Sequence, residues 1–338
     1  MTIHHNSPTL GYKETIACIN VIRSGIVSGG HQVKRFEEEL CSFFGLPQGH
    51  VVAVSSGTAA LYLALRFLLR PHSSVALPTY ACAALRNATT MAKMKPIYVD
   101  CGPNSVNPNP LSINTFDIDL AITPSLFGIP FDPRDVTGIP VIEDIAQSFG
   151  STLGSLFTGT LGSAGILSFY ATKLITSGGQ GGAVISKDIS LIESIKDFLS
   201  FDCRSDYINR FNFTMTELQA SVGRVQLSRY SEFIEKRSHL LSIYKQYELP
   251  LIPVPKGHVP YRAILKVDNP TRLKQHFSKA GISSIIPIES FELLDPCYKK
   301  FPNAFANTQQ LLSIPLYPKM TTKQAKYIAR TFHMLYNH

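Results

Sequence analysis

VVAVSSGTAALYLALRFLL, Val51–Leu69, is the stretch on which the fold turns. Val51–Val54 is a short β-favouring run, and Ser55-Ser56-Gly57-Thr58 after it has the composition of a tight turn. In Ala59–Leu69, Leu61, Leu65, Leu68 and Leu69 recur at helical spacing. The segment reads strand, turn, helix. Working outward, Ser74–Leu77, Ala81–Met94 and Pro96–Val99 repeat the pattern as strand, helix and strand, with Asp100 at the strand end. Leu120–Thr123, Val141–Ile142, Gly165–Phe169 and Gly182–Ile185 supply further strands. Strands alternating with helices predict an α/β domain with a largely parallel sheet. Met215–Glu235 reads as one long helix leading out of it, and the character then changes. Tyr261–Val267, Gly281–Pro287 and Ser313–Tyr317 are strand-like, while Thr271–Ala280 and Thr321–Tyr336 are helical. The expected division is a large domain over residues 1–230 and a small α+β domain over 231–338.

Composition narrows the class of protein. The 338 residues are 44% hydrophobic and 17% charged, too apolar for a disordered chain. The longest apolar run, Ala59–Leu65, is far below the roughly 20 residues a membrane helix needs. Met1–Leu10 lacks the basic-then-apolar layout of a secretory signal, so a cytoplasmic location is expected. Six cysteines and ten histidines are scattered without a CxxC pair, which supports neither a disulfide frame nor a metal site. The net charge of +8 suits an anionic small molecule, and the dispersed Lys and Arg residues do not form the aromatic-interleaved basic face of a nucleic-acid binder.

Three segments carry chemistry. In VSSGTAAL, Val54–Leu61, a serine-rich turn at a helix start presents N–H groups and hydroxyls suited to a phosphate, although an N-cap at Ser56 or Thr58 would use the same residues. VIEDIAQSFG, Val141–Gly150, puts two carboxylates at a strand end, where open α/β sheets bind ligands. Asp144 there could hold a cationic nitrogen, a ribose hydroxyl or a metal, or simply cap a helix. In SFYATKLITSGGQGGAV, Ser168–Val184, a lysine lies between a strand and a glycine-rich turn, flanked by the apolar Phe169, Leu174 and Ile175. A lysine so desolvated can form a Schiff base with an aldehyde, whereas an ordinary surface lysine stays solvated. Phosphate turn, acidic strand end and buried lysine together fit one cofactor, pyridoxal 5'-phosphate.

Those segments, with SGIVSGGHQVKRFEEEL at Ser24–Leu40 and RFNFTMTELQASVGRVQL at Arg210–Leu227, resemble the DegT/DnrJ/EryC1/StrS family of pyridoxal phosphate-dependent sugar aminotransferases, within fold type I. The resemblance runs from about Ser24 to Pro318 and implies an aspartate-aminotransferase-like fold. It implies that Lys173 forms the Schiff base and moves protons, that Asp144 pairs with the pyridine nitrogen, and that Gln147 contacts the ring hydroxyl. Ser56, Gly57, Thr58 and Ser168 would cradle the phosphate. Cys82 stands where many members stack an aromatic on the ring. Asn212 would reach the phosphate in the neighbouring subunit, which makes the expected assembly a homodimer with shared active sites.

Besides Cys82, two positions and one segment depart from the family pattern. Ser125 replaces a common histidine before Phe-Gly, Thr214 replaces a basic residue, and Phe131–Ile139 is too short for the usual helix. The implied reaction moves an amino group from an amino acid, by family analogy L-glutamate, to a nucleotide-linked keto-sugar in amino sugar, polysaccharide or antibiotic biosynthesis. The alternatives are a sugar dehydratase, against which Lys173 counts because the family's dehydratases carry histidine there, and a cofactor-binding regulatory protein. No metal, nucleic acid or membrane partner is expected.

Overall fold

A computed structural model describes residues 2–336. Helices α1 (Tyr12–Ser24) and α2 (His31–Phe44) precede β1 (Val51–Val54), α3 (Gly57–Leu68), β2 (Ser74–Pro78), α4 (Ala84–Met91) and β3 (Lys95–Val99). A single-turn α5 (Pro110–Ile113) leads to β4 (Leu120–Pro124) and β5 (Val141–Asp144). The short pair β6 (Thr152–Leu153) and β7 (Leu156–Phe157) is followed by β8 (Ala164–Ser168), β9 (Gly182–Ile185), α6 (Ile189–Leu199), α7 (Glu217–Ser228) and α8 (Tyr230–Gln246). The chain finishes with β10 (Ala263–Lys266), α9 (Pro270–Lys279), α10 (Pro302–Gln310), β11 (Leu311–Ile314) and α11 (Thr322–Tyr336).

Seven strands form one sheet in the order β1-β9-β8-β5-β4-β2-β3. The run from β3 to β8 is parallel, and β9 inserts antiparallel between β8 and β1. This is the expected α/β architecture with a mixed, mostly parallel sheet. Strand alternation explains why both faces are apolar. Val52 and Val54 pack toward Leu61 and Leu65 of α3 and Ile192 and Ile195 of α6. Val51 and Ala53 face Phe36 and Leu40 of α2 and Phe233 of α8. Each such large side chain contributes about 1.5–3 kcal/mol when fully buried. The antiparallel pair β10–β11 packs with α8, α9 and α11 around a further core that includes Leu240, Tyr244, Leu265, Phe277 and Leu312. Ile3 joins that core, its N–H donating to the Gly281 carbonyl. Among the described residues no helix is long and apolar enough to cross a membrane.

Three sequence expectations are corrected. Met215–Glu235 is not one helix: the chain turns at Arg229, whose backbone (φ −102°, ψ 4°) leaves the helical region. Two helices are needed because α7 packs on α1 and α2, while Leu240, Leu241, Ile243 and Tyr244 of α8 serve the β10–β11 core. Gly281–Pro287 is not a strand, since it makes single bridges to two different partners, Ile282 to Ile3 and Ile285 to Ser313. The helix expected from Ala81 starts at Ala84, because Tyr80 is drawn into a separate apolar cluster with Phe127 and Ile264. Between β4 and β5 only two 3-10 turns form, in keeping with the short Phe131–Ile139 segment.

Candidate active site

β4, β5 and β8 run parallel, so their C-terminal ends share one edge of the sheet, and the start of α3 meets them there. A cleft of about 250 Å³ opens at this edge. It is lined by Ser56, Gly57 and Thr58, by Cys82, and by Asp144, Gln147, Ser168 and Lys173. Ser56 and Lys173, 117 positions apart in sequence, are thus gathered with Asp144 at one switch of the sheet.

The start of α3 is open toward a ligand. Ser56 is the N-cap, its Oγ accepting from the Ala59 N–H at 3.1 Å, and the Ala60 N–H donates to the Ser56 carbonyl. Those bonds leave the Gly57 and Thr58 N–H groups directed out of the helix end, where its dipole is positive. The capping reading of Ser56 therefore holds and leaves two donors beside it. Glycine at 57 is required by space: a Cβ there would lie 2.9 Å from Ser168 Cβ and 3.2 Å from its Oγ. At 182, a Cβ would come within 2.4 Å of the Ser56 carbonyl carbon, so glycine lets β9 pass under the turn.

Strand alternation sends the two acids of β5 in opposite directions. Glu143 accepts from the Gly159, Leu161 and Gly162 N–H groups at 2.6–2.8 Å and so holds a loop. Asp144, only 9% exposed, accepts from the Ala146 N–H at 3.0 Å through Oδ1 and lies within the electrostatic reach of Lys173. Burial pushes its carboxyl above the ordinary range, against the pull of the Ala146 N–H and Lys173. A buried acid of this kind suits a protonated ring nitrogen, which returns the charge that burial opposes.

Lys173 lies on the loop between β8 and β9, half-buried, with Nζ 5.7 Å from the centre of the Tyr261 ring. Leu174 and Ile175 anchor the loop in the core. The Lys173 N–H donates to the Tyr170 carbonyl, and Gly178, with φ of 81°, supplies the left-handed turn after it. Asn6 reaches across from the N-terminus, Nδ2 donating to the Thr172 carbonyl at 3.0 Å. Gln147 is oriented by the Phe127 N–H, which donates to Oε1 at 3.1 Å and leaves the amide N–H groups to face the cleft.

Asn212 is not in this cleft. It is exposed, and its Oδ1 accepts from the Thr214 N–H and hydroxyl at 3.2 and 2.6 Å. Its segment is nonetheless tied beside the phosphate turn, since the Ser55 N–H donates to the Phe213 carbonyl and Thr214 bridges Val54. Ser125, at the departing position, is buried and accepts from the Phe131 N–H at 3.0 Å. Sequence reasoning missed Asn6, Tyr170 and Tyr261. Tyr170 sits inside the lysine segment and could have been included, whereas Asn6 and Tyr261 reach the site only through tertiary contact. Among the described residues no cluster of His, Cys, Asp or Glu is placed to hold a metal ion.

A mostly parallel sheet with a lysine on the β8–β9 loop, a buried carboxylate at the β5 end and an open helix start defines a pyridoxal phosphate-dependent aminotransferase. The chain belongs to the DegT/DnrJ/EryC1/StrS aminotransferase family, whose sequence model matches residues 8–333. It is 27% identical to the dTDP-4-dehydro-2,3,6-trideoxy-D-glucose 4-aminotransferase of Saccharopolyspora spinosa, over 99% of this chain and 97% of that one. It is 26% identical to the GDP-perosamine synthase of Escherichia coli O157:H7, over 92% of each chain. In fold it superposes on the aminotransferase TlmJ from Streptoalloteichus hindustanus with a TM-score of 0.92, 23% identity, and coverage of 100% of this chain and 99% of that one.

Proposed function

We propose that this sugar aminotransferase takes its amino group from L-glutamate and delivers it to a keto-sugar carried on a nucleoside diphosphate, with Lys173 and Asp144 as its catalytic pair. The observation that carries the reading is Lys173 and the buried Asp144 facing one cleft whose far end is the open start of α3. The relatives named for dTDP- and GDP-linked sugars support the acceptor class, and the basic balance of the chain suits its diphosphate.

Pyridoxal phosphate, when bound, supplies the electron sink for the carbon that loses or gains the amine. The chain's own residues do the rest. Lys173 Nζ takes the proton from the donor's α-carbon and returns it in the second half of the exchange. Asp144 would accept a hydrogen bond from the ring nitrogen and keep that nitrogen protonated. Gln147 would donate to the ring hydroxyl, and Cys82 would be the residue beside the ring. The Gly57 and Thr58 N–H groups, with the Thr58 and Ser168 hydroxyls, would hold the phosphate. Asn212 serves the cleft of a second copy of this chain, its Nδ2 being left to donate when Oδ1 is held by Thr214. Residues 1–230 form the cofactor domain and 231–338 the smaller domain that closes the site.

Mixing the cofactor-loaded protein with L-glutamate and following its absorbance tests the reading. The band of the lysine-bound cofactor should give way to that of the amine form, and a nucleotide-linked keto-sugar should restore it. No spectral change with any common amino acid would contradict it.

A further inference from the structure

The loop that carries Lys173 is tied mostly to itself. The Ala171 N–H donates to the Gly179 carbonyl, the Lys173 N–H to the Tyr170 carbonyl and the Ser177 N–H to the Phe169 carbonyl. Among the described residues two side chains from elsewhere in the chain donate to the backbone of residues 169–181. Gln219 donates Nε2 to the Gln180 carbonyl, and Asn6 donates Nδ2 to the Thr172 carbonyl, each at 3.0 Å. The Thr172 carbonyl belongs to the peptide whose nitrogen is that of Lys173. Asn6 does not line the cleft, so its influence on the lysine passes through that peptide.

The residues before Asn6 belong to the other unit. The Ile3 N–H donates to the Gly281 carbonyl at 2.8 Å, and the Ile3 carbonyl accepts from the Ser283 N–H at 2.9 Å. The Ile3 side chain is buried in the β10–β11 core. His5 Nε2 meets Ser313 Oγ of β11 at 2.9 Å, and burial with the nearby Arg262 keeps that ring neutral, with a pKa of about 3. Residues 3–5 thus follow β10–β11 while residue 6 holds the lysine's peptide. Consecutive Cα atoms are about 3.8 Å apart, so no slack lies between His5 and Asn6. Asn6 Oδ1 accepts from the Ser7 N–H at 2.7 Å, which orients the amide, and Pro8 biases Ser7 toward extended backbone. Further on, the Thr9 carbonyl accepts from Gln226 of α7 at 2.9 Å. The segment is a strap fixed on both sides of Asn6.

We propose that Asn6 is a positioning residue for Lys173: through the Thr172 carbonyl it ties the lysine's peptide to the β10–β11 unit, and a shift of that unit is relayed to the lysine. The inference rests on the aminotransferase reading above and adds how the smaller unit governs the reacting amine. Such control matters because a misplacement of about 1 Å can cost a reacting group a hundredfold in rate.

Two ligands separate placement of the lysine from the shape of the cleft. The apo-protein is titrated with pyridoxal phosphate and with 4'-deoxypyridoxine 5'-phosphate, which keeps the ring and phosphate but has a methyl group where the aldehyde bonds to lysine. Asn6→Ala should weaken pyridoxal phosphate by about threefold to tenfold, the worth of one hydrogen bond, and leave the deoxy analogue as in the wild type. Should Asn6→Ala not fold, Asn6→Ser keeps an acceptor for the Ser7 N–H, is too short to reach Thr172, and should give the same split. Equal loss of both ligands, or loss of neither, in the folded variants overturns the positioning role. Ser313→Ala, which frees His5, should weaken pyridoxal phosphate by about twofold to threefold alone and by nothing further in an Asn6→Ala chain. Additive losses, or no loss from Ser313→Ala alone, overturn the relay. A wild type that binds both ligands equally, with Lys173→Ala no weaker for either, refutes the aminotransferase reading on which the role depends.

Discussion

Gly57→Ala opposes two effects whose sizes the structure allows to be compared. Gly57 is the first residue of α3, and its φ lies outside the left-handed region, so alanine fits the backbone. Helix propensity alone would then favour alanine by up to about 1 kcal/mol. Against this, the new methyl lies 2.9 Å from Ser168 Cβ and 3.2 Å from Ser168 Oγ, closer than carbon atoms tolerate. Ser168 sits at the end of β8 and cannot withdraw without moving the strand. Overpacking of this kind costs about 1–3 kcal/mol, so the apo-protein should lose roughly 1 kcal/mol net. The cofactor should suffer more. Shifting the helix start away from Ser168 pulls the Gly57 and Thr58 N–H groups off a phosphate, and each charge-assisted bond is worth about 1.5–3 kcal/mol. Pyridoxal phosphate should therefore bind about tenfold to a hundredfold more weakly in an absorbance titration of the apo-protein. Ser168→Gly in the same chain removes both close atoms, so the melting temperature should recover while affinity stays low for want of the hydroxyl. A Gly57→Ala protein with wild-type cofactor affinity would refute the phosphate cradle.

Asp144→Asn removes a carboxylate from a charge-assisted contact of about 3 kcal/mol, so the first half-reaction should slow by roughly a hundredfold. In the apo-protein the sign reverses. Burial lifts the folded-state carboxyl above its ordinary value, so its stabilising contribution is present at low pH and lost as the pH rises through that raised value. Apo Asp144→Asn should accordingly melt higher than the apo wild type at neutral pH, and the gap should shrink on acidification; a constant gap would show that Asp144 is not the titrating group. Asn212→Ala should weaken cofactor retention by about tenfold with unchanged absorbance of what remains bound. Sedimentation should give a dimer, and a fully active single chain of 37.3 kDa would refute the shared site.

Much of the site was legible because its parts are local. Ser56-Gly57-Thr58, Asp144 and Gln147, and Ser168 and Lys173 each sit within a few residues of a strand end, and strand ends of a parallel sheet converge without further information. The separate fates of Glu143 and Asp144 follow from the two-residue period of a strand, yet only the structure shows that Glu143 is spent on three loop N–H groups. What pairing at long range decides was not legible. Asn6 meets Thr172 across 166 positions, and Arg262 meets Lys173 only through the Tyr261 ring. The break at Arg229 was hidden for a related reason: its local sequence is helical on both sides, and the competing demands of α1, α2 and the β10–β11 core set the turn. At Ser125 the hydroxyl serves the Phe131 N–H, a short-range bond that a reading for catalytic side chains does not seek.

The most direct measurement is borohydride reduction of the cofactor-loaded protein followed by peptide mapping. The reduced pyridoxyl phosphate should be found on the peptide that contains Lys173, and Lys173→Ala should yield no labelled peptide and no transamination. Label on any other lysine, or amino transfer surviving in Lys173→Ala, would contradict the assignment of this cleft as the active site.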